Sequence, residues 1–118
     1  MVLYLDLARE LKKNTDIMEV TFKKFNLQVL QYSYHPYSDN DADCELIIEL
    51  TTIDGDSMTG DASIKINLYD ENGDIFFNTE NYVDSDEFAG YDTFKISLYN
   101  NSRTLLEAKT ARVYMSQG

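Results

Sequence analysis

Residues 63–77, Ser-Ile-Lys-Ile-Asn-Leu-Tyr-Asp-Glu-Asn-Gly-Asp-Ile-Phe-Phe, specify a β-hairpin in both strands and turn. Ile64, Ile66 and Leu68 alternate with Lys65, Asn67 and Tyr69, the two-residue period of a strand with one buried face. In Asp70-Glu71-Asn72-Gly73, Asp suits the first position of a type I turn and Gly accepts positive φ. Asn72-Gly73 alone would also suit a type I′ turn. A three-residue loop would set Leu68 opposite Phe76, and a two-residue loop would set it opposite Phe77. The faces taken by the two Phe side chains therefore depend on the register.

The same period recurs along the chain. Phe94, Ile96 and Leu98 alternate with Lys95, Ser97 and Tyr99, and Leu106 to Met115 reads as a last strand. Cys44 to Ile53 is dense in Leu46, Ile47, Ile48 and Leu50, which predicts a central strand covered on both faces. Met18, Val20 and Phe22 alternate, as do Phe25, Leu27 and Val29 one residue out of phase. A bulge at Lys23-Lys24 would restore the phase, while the seven-residue spacing of Leu11, Met18 and Phe25 keeps a helix as the alternative for 17–30. At the N-terminus Leu3, Leu7 and Leu11 lie four apart, with Arg9, Glu10, Lys12 and Lys13 on the other side, which predicts an amphipathic helix over residues 4–13. About seven strands separated by turn signals predict one all-β domain over residues 1–118: an antiparallel immunoglobulin/fibronectin-like β-sandwich with a short N-terminal helix. The chain lacks the Cys and Trp pattern of an antibody core, and a partly open barrel is the alternative closure.

Ile66-Asn67-Leu68-Tyr69-Asp70, followed by Glu71-Asn72-Gly73-Asp74-Ile75 and later by Gly90 and Phe94, resembles the FxLYD-type small β-sandwich domains of prokaryotes. Leu68, Tyr69 and Asp70 stand for the motif's Leu-Tyr-Asp, and Ile66 replaces its Phe. The resemblance covers residues 62–98. It implies a sandwich and no settled activity.

Charge narrows the partners. Residues 39–87 hold fifteen acids against the single base Lys65, a sum of −14, whereas nine bases and six acids elsewhere give +3 and a total of −11. Such a chain is repelled by nucleic acid and by anionic membranes, and steering favours basic partners. Met1 to Leu7 has no basic leader region, which predicts a soluble, cytoplasmic chain. Cys44 is the single cysteine; it has no internal disulfide partner, and its neighbours Asp43 and Glu45 would raise its thiol pKa.

Catalytic signals are sparse. His35 is the only histidine, in Tyr34-His35-Pro36-Tyr37, where proline ends regular pairing. One His and one Cys cannot form a nitrogen and sulfur metal site, and the isolated glycines make no phosphate loop. The prediction is therefore no catalytic residue, no cofactor and no enzyme. Asp39, Asp41 and Asp43 match the first, third and fifth positions of an EF-hand loop, but Cys44 and Leu50 occupy the positions that require Gly and Glu, which excludes that motif. A looser calcium site would join Asp39, Asp41 and Asp43 to Asp84 and Asp86. For binding, Tyr32, Tyr34 and Tyr37 cluster along one strand, and Tyr suits surfaces that are apolar and hydrogen-bonding at once. The leading expectation is a non-catalytic protein-interaction or accessory module using those tyrosines, with an edge strand or the N-terminal helix as a route to self-association. The alternatives are an acidic inhibitor or immunity-type protein that occupies a basic, nucleic-acid-type cleft, and a calcium-binding module.

Overall fold

The computed structural model describes residues 3–117; Met1 and Val2, which begin the segment read as leader-free, and Gly118 lie outside it. In chain order the elements are α1 (Tyr4–Lys13), β1 (Thr15–Ile17), α2 (Glu19–Lys23), β2 (Leu27–Ser38), β3 (Asp41–Thr52), β4 (Ala62–Tyr69), β5 (Ile75–Val83), β6 (Tyr91–Leu98), α3 (Thr104–Glu107) and β7 (Thr110–Ser116). The strands form two sheets, ordered β1-β7-β4-β5 and β2-β3-β6. The sheets do not close into a barrel. No helix among the described residues is long and apolar enough to cross a membrane.

Alternation decides what lies between the sheets. Cys44, Leu46, Ile48 and Leu50 of β3, with Ile96 and Leu98 of β6, join Ile64, Ile66 and Leu68 of β4 and Val113 and Met115 of β7 in one buried cluster. β3 lies centrally in its sheet, as its apolar density predicts, with Ile47 half-buried on the opposite face. The predicted helix is α1: Ala8 and Leu11 are buried and Leu7 packs on the core. The fully buried side chains also include Phe22 of α2.

The hairpin resolves its own register. Leu68 faces Phe77, and Tyr69 faces Ile75 across a bulge, so Phe76 is the extra residue. Both Phe76 and Phe77 pack against the core, because a bulge sends two successive side chains to one side. The turn itself forms as read: Gly73 N–H donates to the Asp70 carbonyl (3.0 Å), with Gly73 at φ +81°.

Three expectations are corrected. Residues 19–23 are the short helix α2 rather than strand, so Lys23-Lys24 ends a helix instead of forming a bulge. The sheets are not wholly antiparallel, because β1 runs parallel to β7, with Thr15 facing Ala111 and Ile17 facing Val113. β3 begins at Asp41 rather than at Cys44, so Asp41 and Asp43 are strand residues, and the β2–β3 hairpin turns only at Asp39 and Asn40. Past α2 the chain reverses at Asn26 (φ +64°), a left-handed conformation that Asn tolerates. Its Nδ2 donates to the carbonyls of Asp54 (2.7 Å) and Ser57 (2.8 Å) and its Oδ1 accepts from Asp54 N–H (3.1 Å). This ties the loop after β3 to the start of β2.

Candidate functional site

Tyr32 and Tyr34 share one face of β2, but that face is turned toward α1 and β1, and Tyr37 does not join them. Tyr34 is buried, its hydroxyl 2.9 Å from Thr15 Oγ1, and it thereby holds β1 against β2. Tyr32 is half-buried beside it with ring centroids 6.5 Å apart edge to face; its hydroxyl donates to the Lys12 carbonyl (3.1 Å), and Lys12 Nζ lies 5.4 Å from its ring centre. Burial raises the pKa of both phenols. Tyr37 donates to Ser97 Oγ (2.9 Å), and Ser97 pairs with Glu45, which pairs with His35, on the sheet's outer face. Tyr37 lies an odd number of residues from the other two, so strand alternation turns it to the opposite face with His35,. Tyr32 and Tyr34 are thus the seat of α1 and β1, and only Tyr37 is exposed.

Nor are the five aspartates one cluster. Asp39, Asp41 and Asp43 lie at the end of β3 near Leu98, and Asp84 and Asp86 lie in the loop that leads to the opposite end, where Thr51 faces Tyr91. Thr51 is seven residue steps along β3 from Cys44, a span of about 24 Å. Among the described residues no group of three or more His, Cys, Asp or Glu is placed to hold a metal ion. Asp43 instead has a structural role. It is fully buried; Oδ1 accepts from Asn100 N–H (2.9 Å) and Thr104 Oγ1 (2.8 Å), and Oδ2 accepts from Ser102 N–H (2.7 Å). Desolvation pushes its pKa up, but the bonds from Asn100, Ser102 and Thr104 outweigh it and the net shift is downward. Those bonds hold Asn101 and Ser102 at positive φ, a strained turn, ahead of α3. Asp84 and Asp61 shape the other end: Asp84 Oδ1 accepts from Asp86 N–H (2.9 Å), and Asp61 Oδ1 accepts from Ser85 N–H (2.8 Å) and its hydroxyl (2.7 Å).

The acid–base candidates lack a working constellation. His35 Nε2 lies 2.7 Å from Ser33 Oγ on an exposed strand face. Cys44 is buried; desolvation first, then Asp43, Glu45 and Asp41, push its thiol up to about 12. Two sizeable hollows are open surface depressions. One, about 590 Å³, lies between Leu3, Tyr4, Arg9 and Asp39; the other, about 490 Å³, lies between Asp70, Phe76, Leu106 and Lys109. Neither contains His35 or Cys44.

The outer face of the β1-β7-β4-β5 sheet is different in character. Register places Glu80, Lys65 and Tyr114 in one row and Asn78, Asn67, Arg112 and Asp16 in the next. The Arg112 guanidinium sits 5.8 Å from the Tyr69 ring centre, with Nε 3.4 Å from Asp16 Oδ2, and Lys65 Nζ is 3.8 Å from Glu80 Oε2. A depression of about 350 Å³ opens between Lys65, Asn67, Asn78, Glu80 and Tyr114. This surface escaped the sequence reading. The alternating polar positions of the hairpin and of β7 were visible, but the pairing of β4 with β7 that brings them together is non-local.

No protein-family model matches the chain, and no curated protein matches it. Among solved structures, the crystal structure of Campylobacter jejuni cj0090 is similar at 11% sequence identity and a TM-score of 0.48. The match covers 89% of this chain and 98% of that one.

Proposed function

We propose that this chain is a non-catalytic protein-interaction module whose contact surface is the outer face of the four-stranded sheet. The observation that carries the reading is the composition of that face: Tyr69 under Arg112, beside Lys65, Asn67, Asn78 and Tyr114, set on a rigid ladder. Tyr and Arg are enriched where proteins meet, because each brings a large contact area with a polar tip. An immunoglobulin/fibronectin-like frame suits the strand order: β2, β3 and β6 follow A, B and E, while β4 and β7 follow C and F,. β1 takes the edge beside β7 where a G strand would run. The resemblance to FxLYD-type domains fits the same reading, with Leu68 in the core, Tyr69 on the contact face and Asp70 in the turn.

The test is calorimetric titration of partners isolated from native extract. Tyr114→Ala and Arg112→Ala are expected to weaken binding by at least about tenfold, while Glu49→Ala on the other sheet leaves it unchanged. Equal affinities for all three variants would overturn the assignment. A second reading has its own observation: the loops 53–61 and 84–90 carry six acids and no base at one end of the molecule. That end would suit a basic partner in the manner of an acidic inhibitor. Binding there would fall steeply with salt and respond to Asp84→Asn and Asp86→Asn rather than to Tyr114→Ala.

A further inference from the structure

Four strands end the two sheets, and three of them are defended against a further strand. β1 has only three paired residues and continues straight into α2. β2 contains Pro36 and two register shifts and is flanked by α1, and β6 carries the exposed Lys95 at mid-strand. Proline, bulges and lysine are the usual guards of an edge. β5 pairs with β4 without interruption from Phe77 to Val83, has neither proline nor lysine, and carries Glu80 as its one charge. Its exposed side chains include Ile75 (53%) and Tyr82 (58%).

We propose that β5 pairs antiparallel with β5 of a second copy about a two-fold axis through Thr79. A two-fold interface must be self-complementary, and the strand reads that way from its centre outward. Asn78 comes opposite Glu80 of the second copy, and Phe77 comes opposite Asn81. Past the bulge at Phe76, the exposed Ile75 comes alongside the exposed Tyr82. Centring the axis on Glu80 would oppose two carboxylates, which destabilises a ladder, and centring it on Asn78 would set Glu80 against the apolar Ile75 past the bulge. Under the Thr79 axis the two four-stranded sheets become one of eight, and their outer faces join. The same register brings Asp74 near Asp84 of the second copy, and each chain carries −11. Association therefore tightens as salt screens these charges. The inference needs no heterologous partner, so it stands or falls separately from the contact face proposed above.

The test is sedimentation equilibrium of the purified full chain, up to about 1 mM, at about 0.05 and about 0.5 M NaCl. The wild type is expected to show a monomer–dimer equilibrium that tightens at the higher salt. Asn78 is exposed, so its substitution leaves folding intact, which a thermal melt checks. Asn78→Glu puts a carboxylate opposite Glu80 twice per dimer and is expected to weaken association roughly 2- to 30-fold. Asn78→Lys is expected to tighten it by a similar factor, and Asn78→Glu combined with Glu80→Lys to restore it. A monomer at every concentration and salt would overturn the inference, as would a dimer whose dissociation constant moves the same way for Asn78→Glu and Asn78→Lys.

Discussion

Replacing Asp43 by Ala is expected to cost more than any surface substitution in this protein. Asp43 is fully buried and accepts three short bonds, from Asn100 N–H at 2.9 Å, Ser102 N–H at 2.7 Å and Thr104 Oγ1 at 2.8 Å. The Thr104 hydroxyl has an alternative acceptor in the Leu98 carbonyl at 2.7 Å, so its bond is replaceable. The two backbone donors have no such alternative. A hydrogen bond to a charged group contributes about 1.5–3 kcal/mol, and each buried donor left without a partner costs about 1–3 kcal/mol, so two stranded N–H groups cost roughly 2–6 kcal/mol. Asp43→Ala should therefore lose about 2–6 kcal/mol out of a stability of about 5–15 kcal/mol. At a urea slope of about 1.5 kcal/mol/M the unfolding midpoint falls by about 1–4 M. Asp43→Asn keeps the shape but turns an amide NH₂ toward donors, and is expected to lose about 1.5–3 kcal/mol.

The pH dependence provides an independent check. The folded-state pKa lies below the ordinary 3.8, so the carboxylate's contribution is complete above that value and disappears as pH falls through the folded pKa. The stability gap between wild type and Asp43→Asn should stay constant near neutrality and narrow only below about pH 4. A loss under about 1 kcal/mol for Asp43→Ala, or a gap that narrows between pH 5 and 8, would refute the reasoning.

Three other perturbations have definite outcomes. Tyr34→Phe removes the bond to Thr15 and should cost about 1 kcal/mol, whereas Tyr34→Ala opens the seat of β1 and should cost about 3–5 kcal/mol in a urea melt; equal losses would mean the ring contributes nothing. Cys44, buried and with its thiol pushed up to about 12, should resist a disulfide reagent at pH 8 until the protein unfolds, and prompt labelling of the native chain would contradict that burial. Gly73→Ala, at φ +81°, should destabilise the β4–β5 turn by about 1–2 kcal/mol, read as a lowered melting midpoint.

Local periodicity carried much of the architecture. The helix at 4–13, the hairpin turn at Asp70 to Gly73 and the buried rows of β4 and β6 follow from side-chain direction, which depends only on residues two to four apart. Phe76 and Phe77 show where that ends. Each simple turn puts one of them outside, and only the core beneath the hairpin makes a bulge that packs both against it worth forming. Residues 19–23 alternate like a strand, yet Phe22 reaches the core from a helical turn, because the chain must pass between β1 and β2 at that point. Asp43 looked like one of a row of candidate calcium ligands; its burial is decided by the turn at Asn100 to Thr104, far along the chain, which needs an acceptor.

The candidate site divides in the same way. Tyr69, Lys65, Asn67, Arg112 and Tyr114 were legible as outward positions of strands, but nothing local says that β4 and β7 are neighbours. By itself, then, the sequence determined which side chains point inward, where the chain turns, and that its middle carries the negative charge. Tertiary structure decided which strands meet, that β1 runs parallel to β7, and that a carboxylate and a tyrosine belong to the core. The physical reason is that strand direction is a property of neighbouring residues, whereas pairing and burial are properties of the whole chain's closure.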